Sequence, residues 1–404
     1  MKAYERFLNY IKFETTSDPN SQTTPSNPKE LILAKYLVEE LETLGLEATL
    51  DEYGYVYTKV KGNVANAYKI GFLAHMDTSH DASGKNVNPR IIKNYQGEEI
   101  ILNDKRKMNP ESFDALNYVI GDDLIVTDGN TLLGSDNKAG IAEIMSLLEY
   151  LTTNDVKHGD VYVCFTPDEE IGAGVDHFNY DNFKVDFAYT VDGGFSNEFE
   201  YENFNAASAK VKITGKSIHP GSAKGKMINA SLVGMEFHSL LPEFLNPAFT
   251  EGYEGFNHLT EIVGKCEYAE LEYIIRNHDK KLFNKQKEDF KRIALYLNEK
   301  YGYEIISLEI KDSYYNMKEH ILKRPEIIDI AFEAIRKAGL NPVALPIRGG
   351  TDGARLTYEG VLTPNIGVGG ANFHGVYEFQ SINQMNKTVE ILKNIVELVK
   401  KDIN

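Results

Sequence analysis

The sequence predicts an α/β protein, with a mixed sheet flanked by helices and a smaller ferredoxin-like α+β domain inserted into it. The chain has 404 residues, and a single hydrophobic core usually stops growing at about 250–300 residues, which favours two domains. Short apolar runs that lead into polar residues recur early in the chain. The pattern then changes to the order β-α-β-β-α-β. We assign residues 1–205 and 317–404 to a discontinuous larger domain and residues 206–316 to the inserted domain.

The first two helices are predicted at residues 1–16 and from Asn27 to Gly45. In the first, apolar side chains recur at helical spacing with charges between them, which is typical of an amphipathic helix and not of a signal peptide. The second has an N-cap at Asn27, a first-turn proline at Pro28 and a capping-box acid at Glu30. We therefore expect neither secretion nor a membrane partner.

Three apolar, β-rich runs are predicted to be buried strands of the α/β sheet. They are residues 69–74, 161–166 and 187–191, and each leads directly into polar or acidic residues. Open α/β sheets place their ligands at the ends of their strands, so functional side chains are expected just after these runs. A helix after Ser381 ends the domain.

The inserted domain is predicted from a change in periodicity. Alternating apolar residues around Val211 indicate a half-solvated strand. After it we predict a helix over residues 228–244, two strands across residues 260–276, a helix ending near Tyr301 and a last strand from Ile306. A ferredoxin-like domain of this order can be inserted into a larger fold when its ends lie close together.

The composition limits the classes of partner. The formal net charge is -17 at pH 7, and nucleic-acid binding needs a basic surface that displaces counterions, so nucleic acid is not expected as a partner. Only two cysteines occur, Cys164 and Cys266, and neither belongs to a CxxC motif. Neither a disulfide framework nor a thiolate zinc site is therefore indicated. These features are typical of the reducing cytoplasm.

Five short polar clusters carry chemistry, and each follows a strand or strand-like run. His75 stands two residues before Asp77, and such a histidine can bind a metal through one ring nitrogen while the carboxylate holds the other. Asp168, Glu169 and Glu170 repel one another after a buried strand unless a cation relieves them. The other clusters centre on Asp136 at a helix start, Asp192 before two glycines, and His374 in a glycine-rich loop.

Each cluster also has an ordinary structural interpretation. A solvated strand end, a helix cap, a hydrated acidic loop, a turn and an exposed loop histidine would explain the five separately. Taken together, the clusters contain two histidines and several carboxylates but no cysteine. Imidazole and carboxylate ligands without thiolate suit catalytic zinc, manganese or cobalt better than structural zinc.

The sequence resembles the carboxypeptidase G2 and aminoacylase-like family of co-catalytic di-zinc exopeptidases. The motifs that carry this resemblance are GFLAHMDT, TLLGSDNKAG, FTPDEEIG, YTVDGG, IHPGSAKGKMINA, YIIRNHD, PIRGGTDG and NFHG. The resemblance implies two zinc ions per subunit, with manganese or cobalt as substitutes. The implied ligands are His75 and Asp192 for one ion, Glu170 and His374 for the other, and Asp136 as the bridge between them.

The resemblance also implies two catalytic roles beside the ligands. Asp77 becomes the partner that holds the ring of His75. Glu169 becomes the general base, because a water held between two ions has a lowered pKa and a free carboxylate nearby can take its proton. The same carboxylate can later pass that proton to the leaving amine.

The inserted domain is implied to be a lid and dimerisation domain, so a homodimer is expected. Its residue His219 resembles the family histidine that reaches the scissile carbonyl oxygen and stabilises its developing charge. Arg276 and Arg348 resemble the family's substrate-anchoring arginines, whose planar fork of donors suits a peptide carboxylate. A surface salt bridge is the ordinary alternative for either arginine.

The expected activity is that of a cytoplasmic metallo-aminopeptidase acting on short peptides with a free N-terminus, tripeptides above all. A related di-zinc amidohydrolase, acting as an N-acyl amino acid deacylase, dipeptidase or carboxypeptidase, is the nearest alternative. Asp192 argues mildly against a deacylase or carboxypeptidase, because the resemblance associates glutamate with those enzymes at this position. A binding protein that had lost catalysis would be expected to lack the base or some ligands, whereas all of them are present.

Overall fold

Helices and strands alternate over residues 1–399, which are the residues that the computed structural model describes. The helices are α1 (Ala3–Tyr10), α2 (Glu30–Thr43), α3 (Ser135–Thr153), α4 (Ala230–Ser239), α5 (Lys280–Tyr301), α6 (Lys318–Ile321), α7 (Glu326–Lys337), α8 (Asp352–Tyr358) and α9 (Ile382–Leu398). The strands are β1 (Ala48–Leu50), β2 (Val56–Val60), β3 (Ile70–His75), β4 (Arg90–Ile92), β5 (Ile100–Asn103), β6 (Arg106–Met108), β7 (Leu124–Val126), β8 (Val161–Thr166), β9 (Phe187–Gly193), β10 (Glu198–Glu200), β11 (Asn205–Thr214), β12 (Phe256–Gly264), β13 (Tyr268–Asn277), β14 (Ile306–Tyr314), β15 (Val343–Ala344), β16 (Asn365–Gly367), β17 (Gly370–Ala371) and β18 (Phe379–Ser381). Within residues 1–399, no helix is both long and apolar enough to cross a membrane.

The chain divides into two compact units. The first contains Met1–Tyr201, Glu319–Leu345 and the chain from Thr351 onward, and the second contains Glu202–Lys318 and Pro346–Gly350. The functional division at residues 205/206 and 316/317 stays a prediction. Residues 400–404 of the predicted first domain lie outside the described residues.

An eight-stranded mixed sheet organises the first unit, in the order β1-β2-β8-β3-β9-β16-β10-β15. The adjacent strands β8, β3, β9 and β16 are parallel, whereas β2 and β10 pair antiparallel with the strands at either end of this set. Buried apolar side chains of β3, β8 and β9 form the main core with those of α3, α7 and α9. The predicted mixed sheet flanked by helices is confirmed, and the three predicted runs lie in β3, β8 and β9.

Two predicted helices are shorter in the structure, and local contacts explain where each one ends. α1 stops at Tyr10 and not near residue 16, because Thr16 is already extended and forms a β-bridge with Thr78. α4 ends before Pro242, whose ring cannot continue a helix. Both differences concern the C-terminal end of a helix, and sequence propensity alone locates helix ends poorly.

A four-stranded antiparallel sheet, in the order β12-β13-β11-β14, organises the second unit. Along β13, every second side chain from Ala269 to Asn277 is buried, and most of these side chains pack in one core with α4 and α5. The element order is β-α-β-β-α-β, that of a ferredoxin-like fold. The role of this unit as a lid stays a prediction.

Candidate active site

Three parallel strands bring predicted site residues of the first unit to one edge of the sheet. His75 is the last residue of β3, and Asp192 lies near the end of β9, which pairs with β3. On its other side β3 pairs with β8, which ends at Thr166. A short turn then leads to Glu169 and Glu170. The carboxyl ends of adjacent parallel strands thus supply one cluster of side chains.

The first candidate metal site consists of His75, Asp136 and Asp192. The Nε2 atom of His75 lies 2.8 Å from Oδ1 of Asp136 and 3.4 Å from Oδ1 of Asp192. One ligand atom from each residue lies within 4.8 Å of the others. Such a cluster suits a single ion, since zinc binds nitrogen and oxygen ligands at about 2.0–2.2 Å.

The second candidate site shares Asp136 and adds Glu170 and His374. The Nε2 atom of His374 lies 3.0 Å from Oε2 of Glu170 and 3.3 Å from Oδ2 of Asp136. The two oxygens of Asp136 therefore face different histidines, as a carboxylate bridging two ions requires. Within residues 1–399, the Oε1 atom of Glu170 is buried without a hydrogen-bond partner. Because an unpaired buried oxygen is costly, this atom also suits a cation ligand.

The charges of the two sites favour cations as well. Within residues 1–399, the ion pairs of Asp136, Glu170 and Asp192 come from His75 and His374 alone. Hydrogen bonds to Asp136 and Glu170 raise the pKa of His374 to about 11. Burial lowers the pKa of His75, but Asp192 and Asp136 outweigh it and raise the pKa overall. The carboxylates thus favour a positive charge at both histidine positions, and a divalent cation bound there would supply that charge.

Asp77 is a fully buried carboxylate that contacts several parts of the site. Nδ1 of His75 lies 3.1 Å from the backbone carbonyl oxygen of Asp77 and 3.2 Å from its Oδ1 atom, so Asp77 contacts the ring nitrogen that faces away from the candidate ion. The Oδ1 atom of Asp77 accepts the backbone N–H of Glu169 at 3.0 Å, and Oδ2 accepts that of Glu170 at 3.1 Å. Asp77 therefore also positions the turn that carries the predicted base and a predicted ligand.

Replacing Asp77 by asparagine is expected to weaken metal binding by about 10- to 100-fold, the usual effect of removing a carboxylate behind a metal-binding histidine. Zinc titration of chelator-treated protein measures the change. Asp81→Asn is the matched control, because Asp81 lies 3.3 Å from Nδ1 of His374 but is 61% exposed, and exposed ion pairs contribute little. Equal losses in the two variants would contradict the role given to Asp77.

Glu169 lines a narrow cleft together with His75, Asp192 and Asp352. Burial raises the pKa of the Glu169 carboxyl well above its usual range, although the charge of His75 opposes this. Among the described residues, Glu169 belongs to neither candidate ligand group. Its carboxylate is therefore beside the predicted ions without being needed to hold them.

Two buried carboxylates near this site escaped the sequence analysis. Asp352 accepts a hydrogen bond from the hydroxyl of Thr166 at 2.8 Å, and burial raises its pKa to about 7. Glu378 accepts hydrogen bonds from the backbone that precedes and includes Asp136. Asp352 looks like an ordinary first-turn helix acid in the sequence. One sequence feature could have pointed to Glu378, namely its position four residues after the predicted ligand His374.

Two of the predicted substrate-binding residues lie in strand and turn positions of the second unit. His219 is exposed, and its Nδ1 accepts the backbone N–H of Gly221 at 3.2 Å. Arg276 is half-buried in β13, with its guanidinium 5.5 Å from the ring centre of Tyr314. Both of its hydrogen bonds, to backbone carbonyls of Ala207 and Ile275, come from Nη1.

Arg348, also in the second unit, forms more hydrogen bonds than Arg276 does. Its Nη1 donates to the carbonyl oxygens of Gly252 at 2.7 Å and Glu254 at 2.9 Å. Its Nη2 contacts the carbonyl and hydroxyl oxygens of Thr250, and the guanidinium packs near two aromatic rings. A substrate carboxylate would therefore have to compete with this loop for the donors of Arg348.

The fold and the paired ligand groups define the chain as a peptidase of a known metal-dependent class. It matches Peptidase family M20/M25/M40 over residues 127–398 and belongs to that family. A solved structure from Bacillus subtilis, described as a dinuclear metal-binding peptidase from the M20 family, has a TM-score of 0.66 at 15% identity, over 98% of this chain and 97% of that one. The resemblance predicted from the motifs is confirmed.

Within the family, the similarity is to peptidase T. A peptidase T from Caldanaerobacter subterraneus subsp. tengcongensis is 52% identical over 99% of each chain. Among solved structures, the aminopeptidase PepT from Bacillus cereus has a TM-score of 0.79 at 20% identity, over 99% of this chain and 98% of that one. A tripeptidase from Staphylococcus aureus has a TM-score of 0.78, also at 20% identity and the same coverage.

Proposed function

We propose that this chain is a metallo-aminopeptidase that removes the N-terminal residue of short peptides, above all tripeptides. The observation that carries the proposal is the pair of ligand groups that share Asp136, beside a buried carboxylate, Glu169, that neither group uses. The near-full-length similarity to peptidase T supports the substrate class. A cytoplasmic location and a homodimer formed through the second unit belong to the same proposal.

Two zinc ions are the proposed cofactors, with manganese or cobalt as substitutes, because the candidate ligands are imidazole nitrogens and carboxylate oxygens. His75 and Asp192 would hold one ion, Glu170 and His374 the other, and Asp136 both. When bound, such ions supply Lewis-acid chemistry, which polarises a carbonyl and lowers the pKa of an attacking water.

The side chains of the protein supply the proton transfers and the orientation of substrate. Glu169 accepts a proton from the attacking water at its carboxylate and returns it to the nitrogen of the leaving amine. His219 stabilises the developing charge on the scissile carbonyl oxygen. Arg276 and Arg348 anchor the peptide carboxylate through charge-assisted hydrogen bonds. Arg276 is the stronger candidate anchor, because within residues 1–399 its hydrogen bonds use only one terminal nitrogen, Nη1.

A tripeptide is expected to be cleaved at its first bond much faster than the matching dipeptide or tetrapeptide. Anchors for the terminal ammonium and carboxylate groups would set the length of the bound peptide. Amidating the C-terminus removes the anchored charge, which costs on the order of 1.5–3 kcal/mol, or roughly 10- to 100-fold in kcat/KM. Product analysis by mass spectrometry, with steady-state kinetics for each peptide, measures both effects.

Acetylating the N-terminus of the same tripeptide is expected to lower kcat/KM at least as much as amidation. Equal cleavage of free and acetylated peptides, or release from the C-terminal end, would contradict the aminopeptidase assignment. The amidohydrolase or carboxypeptidase alternative would then take its place.

Arg276→Lys is the variant that tests the carboxylate anchor, since it keeps the charge but loses the fork of donors. The loss of kcat/KM caused by Arg276→Lys should disappear when the amidated peptide is the substrate.

A further inference from the structure

We infer that Glu378 is a positioning residue that holds the shared ligand Asp136 in register with His374, an inference that rests on the proposed two-metal site. Glu378 is 1% exposed and belongs to neither candidate ligand group among residues 1–399. Its effect on metal binding would therefore act through the backbone and not through direct coordination.

The Glu378 carboxylate accepts three backbone hydrogen bonds from one short segment. Its Oε2 atom accepts the N–H of Leu133 at 2.6 Å and that of Gly134 at 2.8 Å. Its Oε1 atom accepts the N–H of Asp136 at 3.0 Å. A carboxyl group has two oxygens, and several backbone donors can bind to them at once. Three such hydrogen bonds at one carboxylate fix the position and the direction of this segment.

The segment leads into α3, which begins at Ser135, so of the three donors only the N–H of Asp136 lies within the helix. The first N–H groups of a helix have no acceptor within the helix. Leu133 is fully buried, so water does not replace the missing acceptor without cost. Gly134, in the middle of this segment, also has a left-handed backbone conformation, with φ +79°. Glu378 thus satisfies donors that would otherwise leave the approach to Asp136 free to shift.

Glu378 also belongs to the loop that carries His374, a candidate ligand of the second site. It follows His374 by four residues, and its own N–H donates to the carbonyl oxygen of Gly375 at 3.2 Å. The next residue begins β18, which pairs with β7 and β17. One side chain therefore ties the loop of His374 to the segment of Asp136, although the two lie far apart in sequence.

The first candidate site depends less on this link. His75 and Asp192 belong to β3 and β9, which pair directly in the main sheet. Asp77 supports His75 independently of Glu378. Removing the Glu378 carboxylate should therefore weaken the site of Asp136, Glu170 and His374 more than the site of His75, Asp136 and Asp192.

The test is a zinc titration of chelator-treated full-length protein by calorimetry, with Glu378→Gln compared with wild type. An amide has one acceptor oxygen and presents N–H groups to other donors, so it cannot keep all three bonds. We expect one of the two binding steps to weaken by about 10- to 100-fold and the other to change by less than about threefold. In a His374→Ala background, Glu378→Gln should likewise change the remaining step by less than about threefold.

Glu143→Gln is the matched control, because Glu143 is a fully buried carboxyl on α3 whose two oxygens have no hydrogen-bond partner among the described residues. We expect it to leave both steps unchanged. Glu378→Asp, whose shorter side chain cannot span the same donors, should reproduce the selective loss if Glu378→Gln fails to fold. Unchanged zinc binding in both Glu378 variants, equal weakening of both steps, or an equal loss in Glu143→Gln would overturn the inference while leaving the proposed peptidase intact. Uptake of one ion by wild type would contradict the two-metal site and this inference together.

Discussion

Replacing Glu169 by glutamine is expected to lower kcat by roughly 10²- to 10⁴-fold, the range for loss of a general acid-base group. The amide keeps the size of the side chain but cannot accept the proton from water. The backbone N–H of Glu169 still donates to Asp77 at 3.0 Å, so the turn should keep its position. Stopped-flow or steady-state kinetics on a good tripeptide substrate measures kcat, and elemental analysis of the same sample measures bound metal.

The adjacent residue provides the matched comparison. Glu170→Gln changes the same functional group one position along, but Glu170 belongs to the second candidate ligand group. Its expected defect is loss of one ion, with partial recovery of activity when zinc is raised. Glu169→Gln should keep both ions and show no recovery. If the two variants lose metal equally, the roles of base and ligand have not been separated correctly.

Replacing Asp136 by alanine is expected to remove both ions and to lower activity at least as far as Glu169→Gln. The reason is that its two oxygens face the two different histidines, at 2.8 Å and 3.3 Å. Elemental analysis after dialysis against a defined zinc buffer measures the loss. Loss of only one ion, with the other bound as in wild type, would contradict the bridging role of Asp136.

Asp168→Ala is a suitable control for Asp136→Ala. Asp168 is also an aspartate, is buried and immediately precedes Glu169, but its carboxylate accepts the backbone N–H of Ser26. Removing it should lower the free energy of unfolding without changing the number of bound ions. Thermal unfolding and metal analysis of the two variants would separate a general loss of stability from a specific loss of ligand.

Local patterns in the sequence identified three strands of the main sheet, β3, β8 and β9, and their polar ends. An apolar run followed by a histidine and an acid two residues later predicts both β3 and the contact between His75 and Asp77. The second function of Asp77, as acceptor for the turn at Glu169, depends on β3 lying beside β8. That pairing joins residues far apart in the chain, so no local pattern could reveal it.

Long-range contacts also explain why Asp352 and Glu378 were missed. Each is a single acid in a loop or helix start, and such residues are usually solvated. Their burial follows from partners far away in sequence, Thr166 for one and Leu133 to Asp136 for the other. The inserted domain was easier to predict, because strand alternation and helical spacing are properties of neighbouring residues.

The order of the candidate ligands along the chain has a consequence for biosynthesis. His75, Asp136 and Asp192 all precede the second unit, whereas His374 follows it near the end of the 404-residue chain. A ribosome releases the N-terminal residues first. A nascent polypeptide therefore presents every side chain of one site long before the other can be completed. Metal loading during translation would be sequential, because the later ion could bind only after the second unit has been synthesised.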